Sequence, residues 1–280
     1  KTAVQQSRNL RSNVEFFTLL TEEGISMDAW RVLPENFDPL KKYPLIFYVY
    51  TEPWGQNVID QYYIGDNSLY NGDMSKDGYI YISIDNRGTP VPKGRDWRKS
   101  IYRKIGVVNI RDQAMAAREI LKWPYVDTSR IAVWGWSGGG SATLNLMFQY
   151  PQIYKTGIAI AAVGNQLTYD NIYQERYMGL PEANTDGYKN TALPQRAANL
   201  KGPLMILHNF EDDNVLFQNS LQMMDALERA GGDPGVSAVV FAGAGGDFTA
   251  GNDLADFRDF LDAPAEFPAL TFVRALARFE

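Results

Sequence analysis

Apolar residues fall along this chain in short uninterrupted runs, separated by stretches in which they recur every three or four positions. Val14–Leu20 and Ser26–Leu33 read as two strands joined by Thr21-Glu22-Glu23-Gly24 in hairpin style. Tyr43–Tyr50 is too uniformly apolar for a half-exposed strand and reads as a buried one, a pattern that Gly78–Ile84 repeats ahead of Asp85-Asn86-Arg87-Gly88. Between Asn109 and Lys122 the spacing of Ile110, Ala114, Ala117, Ile120 and Leu121 predicts a helix. Strand Ile131–Trp136, a small-residue helix Ser137–Gln149 and strand Gly157–Ala162 follow, then strand Leu204–His208, a helix near Gln218–Arg229 and a last strand Val236–Ala242. Strands alternating with helices predict an α/β fold with a mostly parallel central sheet covered by helices on both faces. The stretch 163–203, rich in Tyr, Asn and Gln, breaks the alternation and reads as an insertion over one end of the sheet.

Composition narrows the partners. A length of 280 residues, 45% hydrophobic and 21% charged, suits a globular domain with a real core. The net charge of -6, with no basic stripe, argues against nucleic acid or an anionic membrane surface as partner. No apolar run reaches the roughly 18 residues of a membrane span. Absence of cysteine excludes disulfides and thiolate metal sites, and neither a metal nor a cofactor is expected. The opening Lys-Thr-Ala-Val, with neither Met nor a signal peptide, suggests a mature fragment or excised domain whose compartment is not readable.

The chemistry concentrates at Gly135-Trp136-Ser137-Gly138-Gly139, which fits G-x-S-x-G between a buried strand and a small-residue helix. A serine at such a corner adopts strained dihedrals, and its neighbours two residues away must lack bulk so that strand and helix can approach. The helix start offers the Gly138 N–H to a developing oxyanion. The plain alternatives are a structural glycine turn or an anion cradle at a helix N-terminus.

Gly-Trp-Ser-Gly-Gly-Gly, Tyr-Gln-Glu-Arg-Tyr-Met-Gly-Leu-Pro (173–181) and Asp-Asn-Val (213–215) after Asp212 together resemble the dipeptidyl peptidase IV branch of the prolyl oligopeptidase family. Val49-Tyr50 with Pro53 and Gln56 is similar to that branch's oxyanion loop, and the resemblance runs in order through about residue 230. It implies an α/β-hydrolase fold with Ser137 as nucleophile and Asp212 as the acid of the triad. The Tyr50 hydroxyl and Gly138 N–H would hold the oxyanion, and Asn214 would bind the carbonyl of the residue before proline. Val163, Tyr169, Tyr173 and Val215 would line a flat proline pocket. A peptide substrate with proline at the cleavage site, a homodimer, and a periplasmic or extracellular address accord with the family. Taken singly, Tyr169 and Tyr173 read equally as core on a helix face, Asp212 as a solvated loop charge and Tyr50 as strand-end packing. The family places Tyr where Gly138 stands and Trp where Gln166 stands, so one side of the pocket is expected to be open or differently shaped. The β-propeller that grips the substrate's free amine in the dipeptidyl peptidases has no counterpart in these 280 residues.

A serine needs a base. The single histidine, His208, precedes Asp212 and ends a strand, whereas these folds order Ser, Asp, His. The base is expected just after Val236–Ala242, where the chain reads Gly243-Ala244-Gly245-Gly246-Asp247. From about Asp233 the sequence instead resembles the N-terminal strand-turn segment of crotonase-type (enoyl-CoA hydratase) proteins, in which the N–H at the position of Asn252 helps hold a thioester oxyanion. Residues 1–231 thus read as the hydrolase domain and 232–280 as an atypical segment completing it, as in a fused chain. Three function classes follow: an impaired serine peptidase, a carboxylesterase or acyl transferase, and a non-catalytic acyl-CoA-related module.

Overall fold

The computed structural model describes residues 14–61, 64–65, 69–70 and 72–231, and the backbone of 238–243. Eight strands form one sheet: β1 (Val14–Leu20), β2 (Ser26–Val32), β3 (Tyr43–Tyr48), β4 (Ile80–Ile84), β5 (Val126–Trp136), β6 (Thr156–Ile160), β7 (Leu204–Asn209) and β8 (Ala238–Gly243). Their order is β1-β2-β4-β3-β5-β6-β7-β8. The β1–β2 hairpin pairs antiparallel, with Val14 opposite Val32, and β2 joins β4 antiparallel. From β4 through β3, β5, β6, β7 and β8 every pairing is parallel. This is the α/β-hydrolase arrangement.

Six α-helices connect and cover the strands: α1 (Arg95–Lys99), α2 (Val108–Ile120), α3 (Gly138–Gln149), α4 (Asn171–Met178), α5 (Thr185–Thr191) and α6 (Gln218–Ala230). All five residues of β4 are buried, as a central strand with both faces covered requires. β3 differs from the uniformly buried strand that its composition predicts. Leu45, Phe47 and Val49 are buried under the helices, whereas Ile46 and Tyr48 are half-buried on the other face. That face carries a separate cluster around Trp30, Val32, Met74 and Tyr81. There the Tyr48 and Trp134 rings lie 4.8 Å apart, so aromatic side chains shield a face that no helix fully covers.

Helix α3 is the axial element. Its residues Gly138 to Phe148 are all buried, against β5 and β6, so small side chains at its start are a packing requirement. The segment 163–203 contributes α4, α5 and three short 3₁₀ turns. Among the described residues, no helix is long and apolar enough to cross a membrane. Of the crotonase-like stretch only β8 is described, paired in register with β7 from Leu204↔Ala238 to Asn209↔Gly243. Residues 244–280, including Gly246 and Asn252, lie outside the described residues.

Candidate active site

Strand β5 runs into α3 through Ser137, whose φ of 56° and ψ of -121° lie where L-residues rarely go. Glycines permit the corner. A Cβ on Gly135 would stand 2.3 Å from the Val49 carbonyl oxygen, and one on Gly139 only 2.2 Å from it. The Ser137 N–H donates to the Ile160 carbonyl at 2.8 Å, and the Ser137 carbonyl accepts from the Ser141 N–H at 3.0 Å. With its backbone clamped, the half-buried serine lines a cavity of about 230 Å³ at the C-terminal end of the parallel strands.

Tyr50, just beyond β3, lines the same cavity. Its loop is tied down by buried polar groups from two other elements. The Tyr50 carbonyl accepts from Asn57 Nδ2 at 2.9 Å, and the N–H groups of Asn57 and Val58 donate to the Asp85 carboxylate at 2.8 and 3.1 Å. Asn86 Nδ2 donates to the Thr51 carbonyl at 3.2 Å, and Asn109 Nδ2 donates to Thr51 Oγ1 at 2.8 Å. Burial, reinforced by the nearby Glu52, pushes the Tyr50 hydroxyl above its usual range against the pull of a hydrogen bond with Ser137. The phenol therefore stays protonated, and a donor, at neutral pH. Gly138 opens α3, where a helix N–H has no partner inside the helix.

Val163, Tyr169, Tyr173 and Asn214 line the cavity opposite. The Tyr169 and Tyr173 rings meet edge to face with centroids 5.6 Å apart, and the Tyr169 hydroxyl donates to Asn214 Oδ1 at 3.0 Å. Asp170 caps α4 by accepting from the Tyr173 N–H at 2.8 Å, which fixes where the second ring starts.

Asp212 and Val215 are not among the lining residues. Asp212 Oδ1 accepts from the N–H groups of Asn214 and Val215 at 3.0 and 2.9 Å, and Oδ2 lies 3.4 Å from His208 Nε2. Burial pushes this carboxyl upward, but His208 and the two N–H groups outweigh it and hold it below the usual range. Val215, expected on the pocket wall, is instead 2% exposed. Its backbone is engaged on both sides, because its N–H donates to Asp212 and its carbonyl accepts from His208 Nε2 at 2.6 Å. With Nε2 donating there, His208 Nδ1 accepts from the Ser220 hydroxyl at 2.7 Å. Its side chain has no exposed surface, so both nitrogens of the chain's one imidazole are committed to the core.

One residue of the site has no place in the sequence reading. Glu52, 6% exposed, accepts a short hydrogen bond from the Tyr173 hydroxyl, and burial raises its carboxyl to about 7 in spite of that bond. Its side chain lies across Gly138, where a Cβ would stand 2.1 Å from Glu52 Cγ. The side expected to be open is therefore filled. The available signal was the pairing of a glycine after the nucleophile with an acid two residues after Tyr50.

A strained serine at a strand-to-helix corner, faced by a tyrosine hydroxyl at the carboxyl edge of a parallel sheet, defines an α/β-hydrolase site of the serine class. Sequence and structural comparison narrow this further. The chain belongs to the prolyl oligopeptidase family, whose family model matches residues 71–262. It is 37% identical over 223 residues to dipeptidyl peptidase 4 of Arthroderma otae, covering 79% of this chain and 29% of that protein. It is 36% identical over 220 residues to dipeptidyl peptidase 4 of Trichophyton equinum, covering 78% of this chain and 28% of that one. The crystal structure of Porphyromonas gingivalis dipeptidyl peptidase 4 superposes with a TM-score of 0.77 at 34% identity, over 86% of this chain and 33% of that one. The chain thus spans about a quarter to a third of the length of these relatives.

Proposed function

We propose that this chain is the hydrolase portion of a serine peptidase of the dipeptidyl peptidase type, acting on peptide bonds through Ser137 and lacking its own general base. The observation that carries the reading is Ser137 at φ 56° on the β5–α3 corner, with the protonated Tyr50 hydroxyl across from it. In that geometry Ser137 Oγ attacks the substrate carbonyl carbon, and the charge gathering on the carbonyl oxygen is taken up by the Tyr50 hydroxyl and the Gly138 N–H. Asn214, held by Tyr169, presents an amide to the carbonyl of the preceding substrate residue. Asp212 is ionised and suited to orienting an imidazole, but the chain holds no histidine beyond His208. Loss of the triad histidine costs a serine protease about a million-fold in turnover.

Labelling with a fluorophosphonate, followed by mass spectrometry of the Ser137 peptide, tests both halves. Slow labelling that disappears in Ser137→Ala supports the reading. Rapid stoichiometric labelling would reveal a working base and refute the impairment, while modification of another serine in preference to Ser137 would refute the site. Hydrolysis of a Gly-Pro amide set against a short p-nitrophenyl ester then separates a peptidase from an esterase built on the same corner.

A further inference from the structure

Three polar side chains are buried in the wall of the cavity facing Ser137: Glu52, Gln166 and Gln174, at 6%, 6% and 4% exposure. A pocket made for a bare proline ring has no use for them, because an apolar occupant strips their water and returns no hydrogen bond. Two are acceptors in want of a donor. Glu52 Oε2 takes the Tyr173 hydroxyl, but Oε1 has no hydrogen-bond partner among the described residues. The Gln174 side-chain oxygen is fully buried with no partner at all among them. No Lys, Arg or His forms an ion pair with Glu52 among the described residues; the groups that face its carboxyl are the hydroxyls of Tyr50, Tyr169 and Tyr173. The carboxyl is also beside the nucleophile, since Oε1 lies 3.0 Å from where a Cβ on Gly138 would be.

We propose that the Ser137 cavity selects, as the residue contributing the attacked carbonyl, one whose side chain ends in a cationic nitrogen, with Glu52 as the specificity-determining group. A lysine-like ammonium brings several donors and the opposite charge, which answers both unpaired acceptors and the uncompensated carboxyl together. A hydroxyl brings one donor for two acceptors, and an anionic side chain would add a second negative charge. Burial alone holds Glu52 partly protonated near neutrality, and an entering cation reverses that.

The inference rests on the peptidase reading and is tested by binding, so that a missing base does not obscure it. The chain is titrated calorimetrically at pH 8 with Gly-Lys-amide, Gly-norleucine-amide and Gly-Pro-amide, and the series is repeated with Glu52→Gln. The expected result is that Gly-Lys-amide binds about tenfold or more tighter than the norleucine compound, as a buried charge-assisted hydrogen bond provides. Glu52→Gln should erase that difference while leaving the norleucine affinity in place. Gly-Pro-amide as the tightest ligand overturns the inference and leaves the peptidase reading standing. A lysine preference that survives Glu52→Gln also overturns it. If none of the three binds, the inference falls, and fluorophosphonate labelling of Ser137 then decides separately whether the hydrolase site itself stands.

Discussion

Glu52→Gln isolates one buried charge, and its effect on folding can be worked out with its sign. The carboxyl rises from 4.5 to about 7 because burial penalises the ionised form more than the Tyr173 hydroxyl rewards it. Between those two values the folded chain holds a proton that the unfolded chain has released, so stability falls as pH increases across that window. The contribution is fully present below about 4.5 and is lost once pH has passed about 7, a difference of about 3 kcal/mol. Glutamine keeps the shape, accepts the same hydroxyl and never ionises. The variant should therefore match the parent chain near pH 4.5 and exceed it by about 3 kcal/mol at pH 8. Urea unfolding followed by tryptophan fluorescence at half-unit pH intervals measures the difference. Asp85, also raised by burial, is common to both chains and cancels. Superimposed stability curves across the range, or a variant weaker at pH 8, would refute the argument that Glu52 is an uncompensated buried acid.

Two further outcomes follow from the same geometry. Gly138→Ala should cost about 1–3 kcal/mol through collision with Glu52 Cγ, and adding Glu52→Ala should recover most of it; strictly additive losses in a denaturant cycle would show that the two positions do not touch. His208→Ala should cost about 2–4 kcal/mol, because it strands Ser220 and the Val215 carbonyl and removes a ring packed against Phe217, yet should leave the labelling rate of Ser137 unchanged. A fall in labelling would instead assign this imidazole a part in proton transfer.

Much of the fold can be read from the residues because the signals are local and redundant. A uniformly apolar run such as Ile80–Ile84 has few other destinations than a doubly covered strand, and Gly135, Ser137 and Gly139 encode their own corner through what they leave out. Asp170 ahead of α4 is equally plain, since a cap acts within three residues. Tertiary decisions are less visible. Val215 sits one residue past Asn214 and has the chemistry of a pocket wall, but a tight turn spends its N–H on Asp212 and its carbonyl on His208, which drives the side chain inward. Glu52 is harder still. Nothing between Thr51 and Pro53 announces a buried acid, and its position depends on Gly138 and Tyr173, 86 and 121 residues away in the chain. Contacts of that separation are written in pairs of positions, and a single sequence displays only one member at a time.

The contacts that fix Tyr50 and Ser137 come from Asn57, Asp85, Asn86, Asn109, Ser141 and Ile160, all lying well before β8. Strand β8 is the outermost of the sheet and is bonded only to β7. Attack and charge stabilisation are thus assembled on one flank of the molecule, and the proton acceptor would have to arrive from the other margin. An enzyme laid out in this way can be silenced by exchanging a single peripheral strand and its sequel, with its nucleophile still cocked, and can be revived by the reverse exchange.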